Sequence, residues 1–149
     1  MTTALYTHPD CNFHEMPRHP ERPERLVAVM KQLNASGLIR DMQQVQAEEI
    51  DTAGLKLVHP GTYIDEISTG EPAEVVHKIE TDTYMSVGSL RAAKLAAGAN
   101  AMATTAVLNG DIDRAFCAIR PPGHHAEVAA AMGFCLFNNI AIAAQYARK

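Results

Sequence analysis

The chain has 149 residues, 47% hydrophobic and 20% charged, with a net charge of −4 when its seven histidines are neutral. That length fits one domain with a real core, and the composition is not that of a disordered tail. With no basic block in the sequence, nothing points to nucleic acid or an anionic membrane as a partner.

Residues 4–7 form a short apolar run that predicts a first strand. Residues 8–22 are rich in proline and histidine and predict an irregular loop. Pro23 suits the first turn of a helix, Leu26, Val29, Met30 and Leu33 recur at helical spacing, and Gly37 suits its end. A second strand is expected over 44–50. Asp51 reads as the cap of a short helix to Val58, Pro60 breaks it, and Tyr63, Ile64 and Ile67 suggest another turn or two. One more helix is expected over 72–79, then a loop at Thr81-Asp82-Thr83.

Ser86 or a neighbour caps the longest expected helix, which runs to about Leu108 with a stripe of Val87, Leu90, Ala93, Ala97, Ala101 and Leu108. Asn109-Gly110 ends it. Its alanines and Gly98 suit close packing against a sheet. Residues 115–119 are the best strand candidate. A loop from Arg120 to about Leu136 then leads to a helix over 138–148.

Three cysteines, Cys11, Cys117 and Cys135, with no CxxC, argue against a disulfide framework. The N-terminus has neither the basic start nor the apolar run of a signal peptide, and 92–106 is too polar to span a bilayer. No membrane association is expected, and a cytoplasmic location is the default. Alternating strands and helices argue for an α/β fold with a mainly parallel sheet, as a single domain over 1–149. Strand 115–119 and helix 138–148 are two-thirds of a βαβ unit whose parallel return strand does not appear. The topology therefore reads as an interrupted domain.

The chemistry concentrates in Arg120-Pro121-Pro122-Gly123-His124-His125-Ala126-Glu127, directly after the last strand. Ligands bind at the carboxyl ends of strands in open α/β sheets. Imidazoles exchange protons near neutral pH, so two of them on a stiffened loop can serve one reaction centre, one as proton acceptor and one against an oxyanion. A bare His-His pair is also compatible with two unrelated surface histidines. A second cluster, His8, Cys11, His14 and His19, crowds the first loop with His77 as a more distant partner. It reads either as a structural metal site or, for want of thiolates, as a histidine-rich surface loop.

The longer context of the pair, RPPGHHAE followed by Gly133-Phe134-Cys135-Leu136-Phe137-Asn138-Asn139, resembles the histone deacetylase family. The resemblance is to its class II and bacterial deacetylase-like branch and to acetylpolyamine amidohydrolases. His19-Pro20-Glu21-Arg22-Pro23-Glu24-Arg25-Leu26, Val58-His59-Pro60 with Tyr63, and Asp82-Thr83 match further family segments in order. The resemblance implies an arginase/deacetylase-type fold lacking its C-terminal half. It implies hydrolysis of an acylated lysine or acetylpolyamine amide at zinc. His124 then stabilises the transition state and His125 acts as general base and acid. Phe134 and Gly133 line the acyl channel, Asp82 accepts substrate N–H groups at the rim, and Arg25 lies by an internal cavity. Read without the resemblance, Phe134 is also a core residue, Asp82 a turn or capping residue, and Arg25 a solvated helix residue or a plain ion pair.

The family's zinc ligands come from an Asp-x-His motif and a distant Asp, and no Asp-x-His occurs in these 149 residues. No metal is therefore expected at the catalytic position of this chain, and the isolated chain is expected to be inactive. The alternative is a non-catalytic oligomeric or binding module derived from the same fold. An unpaired sheet edge makes a homo-oligomer the expected form in either case.

Overall fold

A computed structural model describes residues 1–148. Its strands are β1 (Thr3–Thr7), β2 (Met42–Gln46), β3 (His77–Lys78), β4 (Tyr84–Met85) and β5 (Arg114–Cys117). Its helices are α1 (Pro23–Ala35), α2 (Thr52–Leu55), α3 (Gly61–Thr69), α4 (Ser89–Leu108) and α5 (Asn139–Tyr146). β1, β2 and β5 form a parallel sheet in the order β2-β1-β5, while β3 and β4 form a small antiparallel hairpin.

Alternation along β1 places helices on both faces of the sheet. Ala4 and Tyr6 pack with Ala99 and Ala103 of α4, whereas Leu5 packs with Leu26 of α1 and with Ile39. Alanine on several sides of α4 lets that helix lie deep in the fold. At Gly98 a Cβ would come within 1.9 Å of the Glu48 carbonyl oxygen, so only glycine permits the approach. That contact also draws 48–50 away from the sheet, where the Ile50 N–H bonds the Lys94 carbonyl at 3.2 Å. β2 therefore ends at Gln46, four residues short of the expected strand end.

The helix expected over 72–79 does not form. Pro72 precedes a segment whose Val75 and Val76 are exposed, so no apolar stripe is available to bury. The segment instead enters β3, with His77 opposite Met85 and Lys78 opposite Tyr84. Thr81-Asp82-Thr83 forms the connecting turn, closed by Ile79 N–H to Thr83 O at 2.9 Å. The ends of the α4 stripe also differ from expectation, because Val87 and Leu108 are exposed. β5 forms where a strand was expected, but it starts at Arg114, ends at Cys117 rather than at residue 119, and lies at the sheet edge, leaving Phe116 42% exposed. No described helix is long and apolar enough to cross a membrane.

Chain order makes β1 the switch point. The path leaves β1 for β2 on one side, then returns over β1 to β5 on the other. Crevices at the carboxyl ends of strands open at such points. Here the loops after β1 and after β5 flank that crevice.

Candidate active-site cleft

A cleft of about 480 Å³ opens between these loops, lined by His124, His125, Asp82, Gly133, Phe134 and Arg25, with Pro20, Glu21 and Pro122 completing its wall. All six site residues singled out in the sequence thus line one cavity. A larger groove of about 540 Å³ runs elsewhere along α4 past Gly98 and Met102. It is lined by no histidine, whereas the smaller cleft holds both members of the pair.

His124 and His125 are exposed and lie side by side, with ring centroids 4.2 Å apart and planes inclined by 50°. Their loop is fixed at several points. At Gly123 a Cβ would meet Asn139 N and Phe137 O at 2.6 Å, so the backbone must pass bare over the start of α5. Asn138 caps α5 through its Oδ1, which accepts the Ala141 N–H at 2.9 Å, and its Nδ2 donates to Ala126 O at 2.7 Å. Buried His59 bridges the loop: its Nδ1 lies 2.9 Å from Val128 O, and its Nε2 accepts the Asn138 N–H at 3.0 Å. That pairing puts the proton on Nδ1. Burial also pushes the His59 pKa down, favouring the neutral ring.

The wall opposite the pair is a tight turn at 133–134. Gly133 packs against His125, where a Cβ would meet His125 Cβ at 2.7 Å. Asp82 Oδ1 accepts the Gly133 N–H at 3.2 Å. Asp82 thus lines the cleft with one oxygen already engaged by its own chain. The imidazole of His19 meets the Phe134 ring edge-on, with centroids 4.6 Å apart.

Beneath the cleft lies a buried charge cluster that sequence reasoning missed. Glu21 accepts Arg120 Nε at 3.1 Å and Nη2 at 2.5 Å, while Arg120 Nη1 donates to Cys11 O at 2.9 Å. Arg25 reaches the same carboxylate at 3.5 Å, although its side chain is mostly exposed. His14 approaches with Nε2 at 3.6 Å, and its Nδ1 lies 2.7 Å from Ser89 Oγ. Despite the nearby carboxylate the imidazole stays neutral. Burial and the Arg120 charge lower its pKa to about 3. Two guanidinium groups already hold Glu21, so it offers little to a third cation. The only sequence hint was position: Glu21 follows His19-Pro20, and Arg120 opens the histidine loop.

The histidine-rich first loop does not assemble a metal cage. His8 caps the following turn by accepting the Asp10 N–H, His14 faces Ser89, and His19 accepts the Glu21 N–H. Among the described residues, no three His, Cys, Asp or Glu side chains gather closely enough to hold a metal ion. The described residues therefore do not supply the three protein ligands of a catalytic zinc centre.

The paired imidazoles thus stand on the loop after the last strand of a parallel α/β sheet. The chain belongs to the histone deacetylase family, whose domain model matches residues 19–149. It is 41% identical over 132 residues to Histone deacetylase 15 of Arabidopsis thaliana, covering 87% of this chain and 24% of that protein. It is 36% identical to human Polyamine deacetylase HDAC10, covering 99% of this chain and 22% of that one. A Probable deacetylase of Archaeoglobus fulgidus is 36% identical, with 100% and 42% covered. The crystal structure of the HDA15 HD domain superposes with a TM-score of 0.94 at 36% identity, covering 99% of this chain and 43% of that one. The chain thus spans less than half the length of these relatives.

Proposed function

We propose that this chain supplies the histidine-bearing wall of a zinc-dependent amide hydrolase acting on acylated lysine or acetylated polyamine, and that residues outside 1–149 hold the zinc. The convergence of His124, His125, Asp82, Gly133, Phe134 and Arg25 on one cleft carries this reading. Relatives named as histone and polyamine deacetylases support the substrate class.

In this reading His125 takes a proton from the attacking water as the new C–O bond forms. It returns a proton to the departing amine as the C–N bond breaks. His124 stabilises the developing oxyanion from the adjacent position. Phe134 and Gly133 flank the acyl chain, and Arg25 faces the cavity beyond it. Asp82 Oδ2 has no hydrogen bond among the described residues and serves as the acceptor for a substrate N–H. Isolated residues 1–149 are inactive on this account.

Fusing 1–149 to the complementary part of the plant HDA15 domain tests the proposal. The folded, zinc-loaded chimera is expected to release acetate from acetyl-lysine peptide or acetylspermidine. His125→Ala is expected to lower the rate by roughly 10²–10⁴-fold. A folded, metal-loaded chimera that is inert, or one indifferent to His125→Ala, would overturn it.

A second reading, a non-catalytic homo-oligomer, is favoured by the open β5 edge with its exposed Phe116. Sedimentation of the purified chain is expected to give a dimer or larger species, and a monodisperse monomer counts against it.

A further inference from the structure

Phe134 is one of two non-glycine residues in the described chain with positive φ, at 71°. For a bulky aromatic residue this is an outlier, and such outliers persist only where the surroundings hold them. Met132 and Cys135 exchange both backbone hydrogen bonds, at 3.1 and 2.9 Å, so Gly133 and Phe134 are the central pair of a two-residue hairpin turn. Both central φ angles are positive, 55° and 71°, as a type I′ turn requires. That turn favours Asn or Asp followed by Gly; a phenylalanine in second place needs external support.

The support comes from the β3–β4 hairpin. Asp82 Oδ1 takes the Gly133 N–H at 3.2 Å, and Thr83 Oγ1 takes the Phe134 N–H at 3.0 Å. The Thr83 hydroxyl donates to Asp82 Oδ1 at 3.0 Å, which leaves its lone pairs for Phe134. Thr83 is itself fully buried, and its carbonyl accepts the Ile79 and Glu80 N–H groups at 2.9 and 3.0 Å. The hydroxyl therefore sits on a rigid turn.

We propose that Thr83, aligned by Asp82, is a positioning residue that clips the 133–134 turn in its left-handed form and thereby fixes the Phe134 ring at the cleft wall. The proposal deepens the acyl-channel reading of Phe134 and rests on it for its functional meaning. A hydroxyl is required at position 83: serine can replace threonine, and valine, equal in shape, cannot accept the N–H.

Incorporation of 4-fluorophenylalanine tests this in the 149-residue chain, which has four phenylalanines. Phe134→Leu assigns the Phe134 ¹⁹F resonance by its loss. Thr83→Val is expected to shift that resonance by more than its linewidth, or to split it, while the other three stay in place. Thr83→Ser is expected to restore the parent spectrum. Should Thr83→Val unfold the chain, Asp82→Ala removes the same alignment at an exposed position and is expected to move the Phe134 signal alone. An unmoved Phe134 resonance in Thr83→Val, or in Asp82→Ala, overturns the proposal, as does a Thr83→Ser spectrum matching that of valine. No acyl substrate enters this readout. A failed clip leaves the chimera's activity as the judge of the channel, and an inert chimera leaves the clip standing.

Discussion

Arg120 grips Glu21 with two guanidinium nitrogens while both side chains lie almost wholly out of solvent. One end of this pair belongs to the loop after β1, the other to the first residue of the histidine loop. Two strand ends are thus fastened together directly below the cleft.

Removing one partner leaves the other charge buried and uncompensated. Glu21→Gln and Arg120→Met are each expected to lower unfolding free energy by about 3–5 kcal/mol. The double variant Glu21→Leu/Arg120→Met is expected to lose less than the sum of the singles, because neither charge remains stranded. Urea unfolding at neutral pH measures all three. Strict additivity would show that the two groups do not stabilise each other.

Stability is expected to fall on acidification below the ordinary histidine range. Burial holds the His14 pKa at about 3, well below its value of 6.5 in an unfolded chain. Between those values the unfolded state binds a proton that the folded state refuses. The His14 contribution is therefore complete above pH 6.5 and is lost progressively toward pH 3, with a slope of up to ~1.4 kcal/mol per pH unit. His59, also depressed by burial, acts with the same sign. Urea midpoints measured from pH 7.5 to 4.5 check the slope, which His14→Gln is expected to flatten. An equally steep decline in that variant would point to other groups.

Among the glycines, Gly98 is where an added Cβ would meet its surroundings most closely. Gly98→Ala places a methyl group against the Glu48 carbonyl and is expected to cost about 1–3 kcal/mol through forced displacement of α4 or of 48–50. Thermal unfolding measures this. A neutral substitution would mean that this loop yields freely.

His59 is expected to order the histidine loop rather than to react. His59→Phe leaves the Val128 carbonyl and the Asn138 N–H without their partners, at about 1–3 kcal/mol for each orphaned group. Hydrogen exchange is expected to quicken across 126–138. Unchanged exchange there would remove His59 from this role.

Much of the architecture was legible because the local signals were redundant. Pro23, the spacing of Leu26 to Leu33 and Gly37 all agree on α1, which spans Pro23–Ala35. The histidine loop follows a compact apolar strand, and its extended motif fixes its context. The failures have physical causes. Residues 72–79 contain no proline after Pro72 and so read as a helix, yet they lack a face to bury and pair as a hairpin instead. The burial of Glu21, Arg120 and His14 was not legible, because it depends on partners far along the chain, 99 residues apart in the case of Glu21 and Arg120. Thr83 entered only as part of the Asp82-Thr83 segment; its contact with the Phe134 N–H was not legible, because Gly-Phe is not a sequence pattern that announces a left-handed turn.

The central claim is that these residues provide the imidazole half of a hydrolytic centre without the ligands that grip its metal. Its most direct test is the purified 149-residue chain in excess zinc, passed through a desalting column and then assayed for zinc content and acetyl-lysine hydrolysis. The account predicts less than one tightly held zinc per chain and no acetate release above buffer. Stoichiometric zinc with turnover abolished by His125→Ala would contradict it.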